Sequence, residues 1–273
     1  MAVSNFIPEI WSRELLYSLK KNLVGNSIVN RNYQGEITSE GDTVNIQTPN
    51  AINTGDYTGA DISFQTLESG TQQLEIDQAK YFAFLVDDVD QAQANVSLMQ
   101  SYMVEASFSL GDVADKAILS LVTDADSDNV LTAALTKDNI YDEIVKAKKN
   151  LSLQNVPSMG RWMVVSPEEV SLLEQSTEFT AASNLGDQIK RTGFVGRIAG
   201  IEIFESNNCL EVGNMRNHPY GYTGSITFAD QIISTEAGRR EKGFSDFVKG
   251  LHVYGLKTVR PKSLGNLRNQ LAS

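Results

Sequence analysis

Apolar positions along the chain fall into stretches of different period. Ile10, Leu15, Leu16, Leu19 and Leu23 share one side of a helix that Pro8 and Glu9 would open. Phe6 and Trp11 add to a large apolar load at a chain end, and ends fray unless something ties them down. The spacing predicts a short amphipathic helix that docks on another surface.

Residues 33–87 follow a different rule. Val44 and Ile46 alternate with Thr43, Asn45 and Gln47, the pattern of a half-buried strand after the turn at Glu40-Gly41. Gln47 to Gln73 is then rich in Thr, Gly, Asn, Asp and Ser, with Ile52, Tyr57, Ile62, Phe64 and Leu67 as its sizeable apolar residues. A strand pattern returns over Leu74 to Val86. Two strands around ~25 polar residues describe a long hairpin-like arm, with too little apolar surface to offset its own ordering entropy. Either it is mobile, or another surface orders it.

The strongest periodicity belongs to Ala92, Val96, Met99, Met103, Ala106, Leu110, Val113, Ala117 and Leu121, spaced three and four apart. Acidic Asp87, Asp88 and Asp90 suit the positive end of one helix of ~30 residues, about 45 Å long. A coiled coil is the rival reading, but Ala at three stripe positions and Gly111 favour packing against a sheet or a neighbour. From ~126 to ~235 the patterns mix. Ile140, Ile144, Ala147 and Leu151 mark a helix, and Trp162 to Val165 a buried strand. Ser166-Pro167-Glu168-Glu169 matches a capping box, Phe194 to Phe204 a hairpin, and Ser225 to Ile233 a strand. Phe247 to Arg260 reads as a long closing strand. The class is α+β, with no repeat of period 20–50.

Composition narrows the picture. The 273 residues carry 23 Lys+Arg against 34 Asp+Glu, a net charge of −11. Residues 1–130 hold 6 basic and 19 acidic side chains and residues 131–273 hold 17 and 15, so the halves carry −13 and +2. No Lys or Arg occurs between Arg31 and Lys80, a span that includes Asp56, Asp61 and Glu68. Residues 237–273 instead carry eight basic residues, among them Arg239, Arg240 and Lys242, against Glu241 and Asp246. Two solvated faces of one domain would account for this. So would an acidic stretch of one copy resting on the basic stretch of another. An acidic chain has little general grip on phosphates. No apolar run approaches the ~20 residues of a membrane span, and Met1 to Pro8 lacks the pattern of a secretory signal.

A search for chemistry returns nothing. His218 and His252 lack a second His or Cys at metal-binding spacing; His218 is read as a loop residue, His252 as a strand residue. Cys209 is the one cysteine, with no activating base nearby in sequence. The Asp124, Asp126, Asp128 run opens like a calcium loop but has Asn129 and Leu135 where Gly and Glu are needed, so it reads as a solvated loop. Ser166 is explained as a helix cap. No phosphate-binding glycine loop occurs, and no carboxylate pair stands out. No cofactor and no catalytic or metal site are expected.

Two blocks carry a resemblance. Phe6-Ile7-Pro8-Glu9-Ile10-Trp11-Ser12, Leu23-Val24, Val29 to Ile37 and Gly41 to Ile46 form one; Gly250 to Pro261 forms the other. They resemble the major capsid proteins of tailed bacteriophages with the Hong-Kong-97-type fold, nearest the podovirus coat-protein branch. The resemblance implies an N-terminal arm (1–34), an extended β-hairpin loop (35–86) and a peripheral domain with a spine helix (87–125). An axial domain (126–235) and a closing strand returning to the peripheral domain (236–273) would follow.

The implied function is self-assembly into hexamers and pentamers of an icosahedral virion shell around double-stranded DNA, made in the host bacterial cytoplasm. The chain reaches the arm at once, which implies a separate scaffolding protein or a mature form; a portal and a cement protein are further implied partners. No Lys lies between residues 32 and 79, so the loop cannot supply the lysine of a covalent crosslink. The expected inter-subunit contacts are Phe6, Trp11, Asp56, Asp61, Phe64, Leu67 and Glu68 on the giving side, with Arg239, Arg240 and Lys242 receiving. Rival readings are a nanocompartment shell of the same fold that houses enzymes, a tail-tube or decoration protein, and a hydrolase.

Overall fold

Val44 and Ile46, the alternating pair, are buried on strand β1 (Thr43–Pro49), which runs antiparallel to β2 (Ser69–Glu75) with Val44 opposite Leu74 and Ile46 opposite Gln72. This is the root of the expected hairpin. The computed structural model describes residues 24–32, 43–49, 69–87, 97–176, 194–239 and 245–271, so the hairpin tip and the N-terminal helix lie outside the described residues. Leu74 to Val86 is two strands rather than one: after Ile76-Asp77 the chain enters β3 (Gln78–Asp87), which belongs to another sheet.

The long helix spans Ser97–Ser120 and continues as a 3-10 turn over Leu121–Asp124. Its buried face takes in most of the stripe read from sequence, with Met103 and Leu110 buried and Ala106, Ala117 and Leu121 packed against the core, but its centre lies to one side. Met103, Ser107, Leu110, Ala114, Ile118 and Val122 face the core, whereas Val113 is 38% exposed. The physical reason is drift: a repeat near 3.5 residues slides around a straight helix of 3.6 by about 20° per heptad.

After a second 3-10 turn come β4 (Val130–Ala133), a helix over Ile140–Leu153, β5 (Arg161–Val165) and a helix over Pro167–Gln175. The predicted Phe194 to Phe204 hairpin is β6 (Phe194–Ile198) and β7 (Ile201–Glu205), turning through Ala199 and Gly200 with φ 49° and 91°. Short β8 (Glu211–Val212) and β9 (Met215–Tyr222) follow, so His218 lies in a strand, not a loop. Long β10 (Ile226–Arg239) and β11 (Ser245–Thr258) lead to β12 (Leu264–Gln270).

Two larger sheets result, ordered β10-β11-β3 and β4-β12-β9-β5-β7-β6, with β8 beside β9. β5 shows why its sequence is apolar throughout. Trp162 and Val164 join the core beneath the long helix, while Met163 and Val165 join a second core under the Ile140–Leu153 and Pro167–Gln175 helices. The expected boundary at 235/236 does not follow the sheets. β10 starts ten residues earlier, and β12 re-enters the large sheet, parallel to β4 and antiparallel to β9. Nor is 123–129 merely a solvated loop. Asn129 is buried, its amide donates to the Lys262 (2.7 Å) and Leu264 (3.2 Å) carbonyls, and its own carbonyl accepts from the Tyr220 hydroxyl (2.7 Å).

Candidate assembly surface

The β10-β11-β3 sheet has two unlike faces. Phe82, Phe84, Val248, Tyr254 and Phe228 point into the core with the long helix. On the outer face, register places Tyr81 opposite Leu251, Ala83 opposite Lys249 and Leu85 opposite Phe247. The hairpin root covers one end of that face, where Val44, Ile46, Leu74 and Ile76 pack on Ala79, Ala229, Leu251 and Val253. A Cβ on Gly255 would overlap the Glu75 carbonyl oxygen, so only glycine admits the hairpin backbone there. The other end is bare: Tyr81 is 78% exposed and Leu85 54%, beside the Lys249–Glu236 ion pair (2.6 Å). Large apolar residues grouped on one exposed sheet face mark an interaction surface.

Arg239 lies at the same end of the sheet, in register with Asp246 on the last pair before the β10–β11 connection, with its side chain on the face opposite to Tyr81 and Leu85. It is the one expected contact residue within the described part. Phe6, Trp11, Asp56, Asp61, Phe64, Leu67, Glu68, Arg240 and Lys242 lie outside the described residues.

Buried charge fixes the elements around this surface. Asp230 on the inner face of β10 takes Arg31 of the N-terminal segment on Oδ1 and His252 Nε2 on Oδ2 (3.2 Å). Burial would raise its carboxyl, but His252 and the Arg31 guanidinium hold it below the usual range. The same segment adds a backbone bridge, with Asn30 N–H donating to Ile226 O (2.9 Å) and Phe228 N–H to Asn30 O (3.0 Å). In the large sheet, buried Glu169 accepts from Ser166 and from Asn269 Nδ2 (2.7 Å) and lies 3.2 Å from His218 Nε2 and 3.7 Å from Arg216. Burial opposes its charge, yet these partners bring the carboxyl down to about 2. Ser166 occupies the N-cap position with Pro167 in the first turn, as the box predicts, but its hydroxyl donates to the Glu169 side chain instead of accepting from the helix backbone.

These groups tie strands and helices together. Among the described residues no three His, Cys, Asp or Glu side chains gather to hold a metal. Cys209 is buried, and burial pushes its thiol up to about 12. No described helix is long and apolar enough to cross a membrane. The sequence reading missed Arg31–Asp230 because 199 residues separate the partners. Asp115, buried in the long helix, also went unnoticed; its spacing of four from Gly111 and Leu119 was the available signal.

Comparison with known proteins decides the family. Residues 71–265 match the family model described as phage capsid protein. The chain belongs to the phage capsid protein family. A structure from Mycobacterium phage Che8 shares 31% identity over 90% of both chains, with a TM-score of 0.70. The capsid of Ralstonia phage GP4 shares only 12% identity over 91% of this chain and 88% of that one, again with a TM-score of 0.70. A virus-like particle from Pyrococcus furiosus shares the fold at 11% identity and TM-score 0.59, over 96% and 99%. No curated protein matches the sequence. The phage capsid protein has the Hong-Kong-97-type α+β fold and is a structural major capsid protein. It self-associates into a shell and is located in the virion capsid.

Proposed function

We propose that copies of this capsid protein form the hexamers and pentamers of an icosahedral shell that encloses double-stranded phage DNA, without catalysis. The loop of one subunit (Asp56, Asp61, Phe64, Leu67, Glu68) rests on the bare sheet end and basic connection (Arg239, Arg240, Lys242) of its neighbour, while Phe6 and Trp11 dock the N-terminal arm. The division into arm, extended loop, peripheral and axial parts follows this reading, with β12 assigned to the axial sheet. The observation that carries it is the exposure of Tyr81 and Leu85 at one end of the outer face, with Arg239 on the last register pair at the same end of the sheet. An acidic loop bearing Phe64 and Leu67 complements both chemistries.

Single exposed ion pairs contribute only ~0–1 kcal/mol, so strength comes from repetition around each capsomer plus apolar burial. The overall acidic charge suits a wall that must let DNA pass. Assembly in the host cytoplasm with a separate scaffolding protein, a portal and a cement protein completes the proposal, as does placement in the podovirus branch. Charge reversal at Arg239 and Arg240 is expected to abolish shells in electron micrographs while the circular dichroism of the subunit stays unchanged. Normal shells from that variant would refute the pairing. Shells filled with protein cargo instead of nucleic acid would point to a nanocompartment.

A further inference from the structure

Four carboxylates are buried among the described residues: Asp115, Glu143, Glu169 and Asp230. Three have a cation at hand, Lys146 for Glu143, Arg216 for Glu169 and Arg31 for Asp230. Asp115 has none. It sits on the core side of the long helix and accepts from three neutral donors. Gly25 N–H of the N-terminal segment reaches Oδ1 (2.7 Å); Asn208 Nδ2 (3.1 Å) and Ser206 Oγ (3.3 Å) reach Oδ2. The close seat is specific, since a Cβ on Gly25 would lie 2.7 Å from Ile118 Cδ1.

We propose that Asp115 is a proton-operated joint: as a carboxylate it holds the N-terminal segment, the long helix and the 206–209 turn together, and on taking up a proton it loosens the turn. A proton from solvent settles on Oδ2, the oxygen whose donors are neutral side chains, and turns that acceptor into a donor. The Asn208 N–H then meets an O–H and loses its acceptor unless the amide rotates, while the Ser206 hydroxyl can turn to accept the new O–H, so the turn is left on that single contact. Gly25 keeps Oδ1, so the arm root stays seated.

The groups facing Asp115 favour this response. On its own helix Asp112 pairs with Lys116 (2.6 Å), which leaves that cation engaged. Asn208 also lies close enough to Asp112 to help lower that carboxyl, so its amide sits between the two acids. From the turn come Ser206, Asn208 and the protonated Cys209 thiol; from the described N-terminal residues comes the Gly25 backbone N–H, while Arg31 is committed to Asp230. Burial, reinforced by Asp112, outweighs the three donors and raises the Asp115 carboxyl.

Hydrogen exchange read by mass spectrometry on the unassembled full chain, corrected for intrinsic rates, tests the joint between neutral pH and about 4.5. Protection at residues 206–209 is expected to fall about tenfold as the pH drops, while residues 29–30 keep theirs. Asp115→Asn, which cannot titrate, is expected to remove the pH dependence. Asn208→Ala is expected to lose protection at 206–209 already at neutral pH and supplies the test if the first variant fails to fold. Protection at 206–209 that ignores pH in the parent chain, a transition that survives in Asp115→Asn, or an Asn208→Ala curve like the parent's would each overturn the proposal.

Discussion

Replacing Asp230 by Asn probes the clamp that ties the N-terminal segment to the sheet carrying the assembly surface. The Asp230 side chain is fully buried and Arg31 is 15% exposed, so the change leaves a largely desolvated guanidinium without its counter-charge. Breaking such a pair from one side costs about 3–5 kcal/mol. Asn keeps one oxygen for Arg31, which places the expectation at the lower end, about 3 kcal/mol. Urea unfolding of unassembled subunits at neutral pH measures it. A double-mutant cycle with Arg31→Met isolates the pair, with a coupling of about 2 kcal/mol expected for contacting residues.

The pH dependence has a definite sign. The folded Asp230 carboxyl titrates below its ordinary value of 3.8, so its stabilisation is present above that value and is lost as the pH falls through the folded one. The difference between parent and Asp230→Asn should therefore shrink in acid. Local opening should show at the Asn30 and Phe228 amides, whose bonds lie beside the clamp. A coupling below about 0.5 kcal/mol, or a difference that grows in acid, would refute this account.

Two further outcomes follow from contacts already described. Gly255→Ala pushes a methyl into the Glu75 carbonyl, and overpacking of that kind costs about 1–3 kcal/mol; a lowered urea midpoint with impaired shell formation is expected. Glu169→Gln removes a carboxyl held at about 2 instead of 4.5, so at neutral pH it should lose about 3 kcal/mol, and the deficit should vanish as the pH falls from about 4.5 towards 2. Equal unfolding midpoints for that variant and the parent at pH 7 would show that His218 and Arg216 do not hold the charge.

Periodicity made much of this fold legible. β1, the Phe194 to Phe204 hairpin, the Ile140–Leu153 helix, β5 and the long β11 all announce themselves locally, because each buries a face whose repeat the chain must spell out. β9 and β12 were not read, for a matching reason. Asn217, His218, Asn266 and Asn269 interrupt their apolar pattern, and those side chains are buried with neighbours brought from distant parts of the chain. His218 looked like a loop residue beside Pro219 until β12 paired along it.

By itself the sequence determined the class of the molecule: an acidic α+β chain with a long helix, a strand entering an acidic polar stretch and a basic closing stretch. Those are properties of composition and short-range spacing, and they survive without knowledge of any partner. Tertiary structure decided which carboxylates acquired cations, which side of the long helix faces inward, and which end of the outer sheet face the hairpin root leaves uncovered. Each depends on residues tens to hundreds of positions apart meeting at van der Waals distance. Burial and desolvation act on the assembled neighbourhood, and local order along the chain does not encode that neighbourhood.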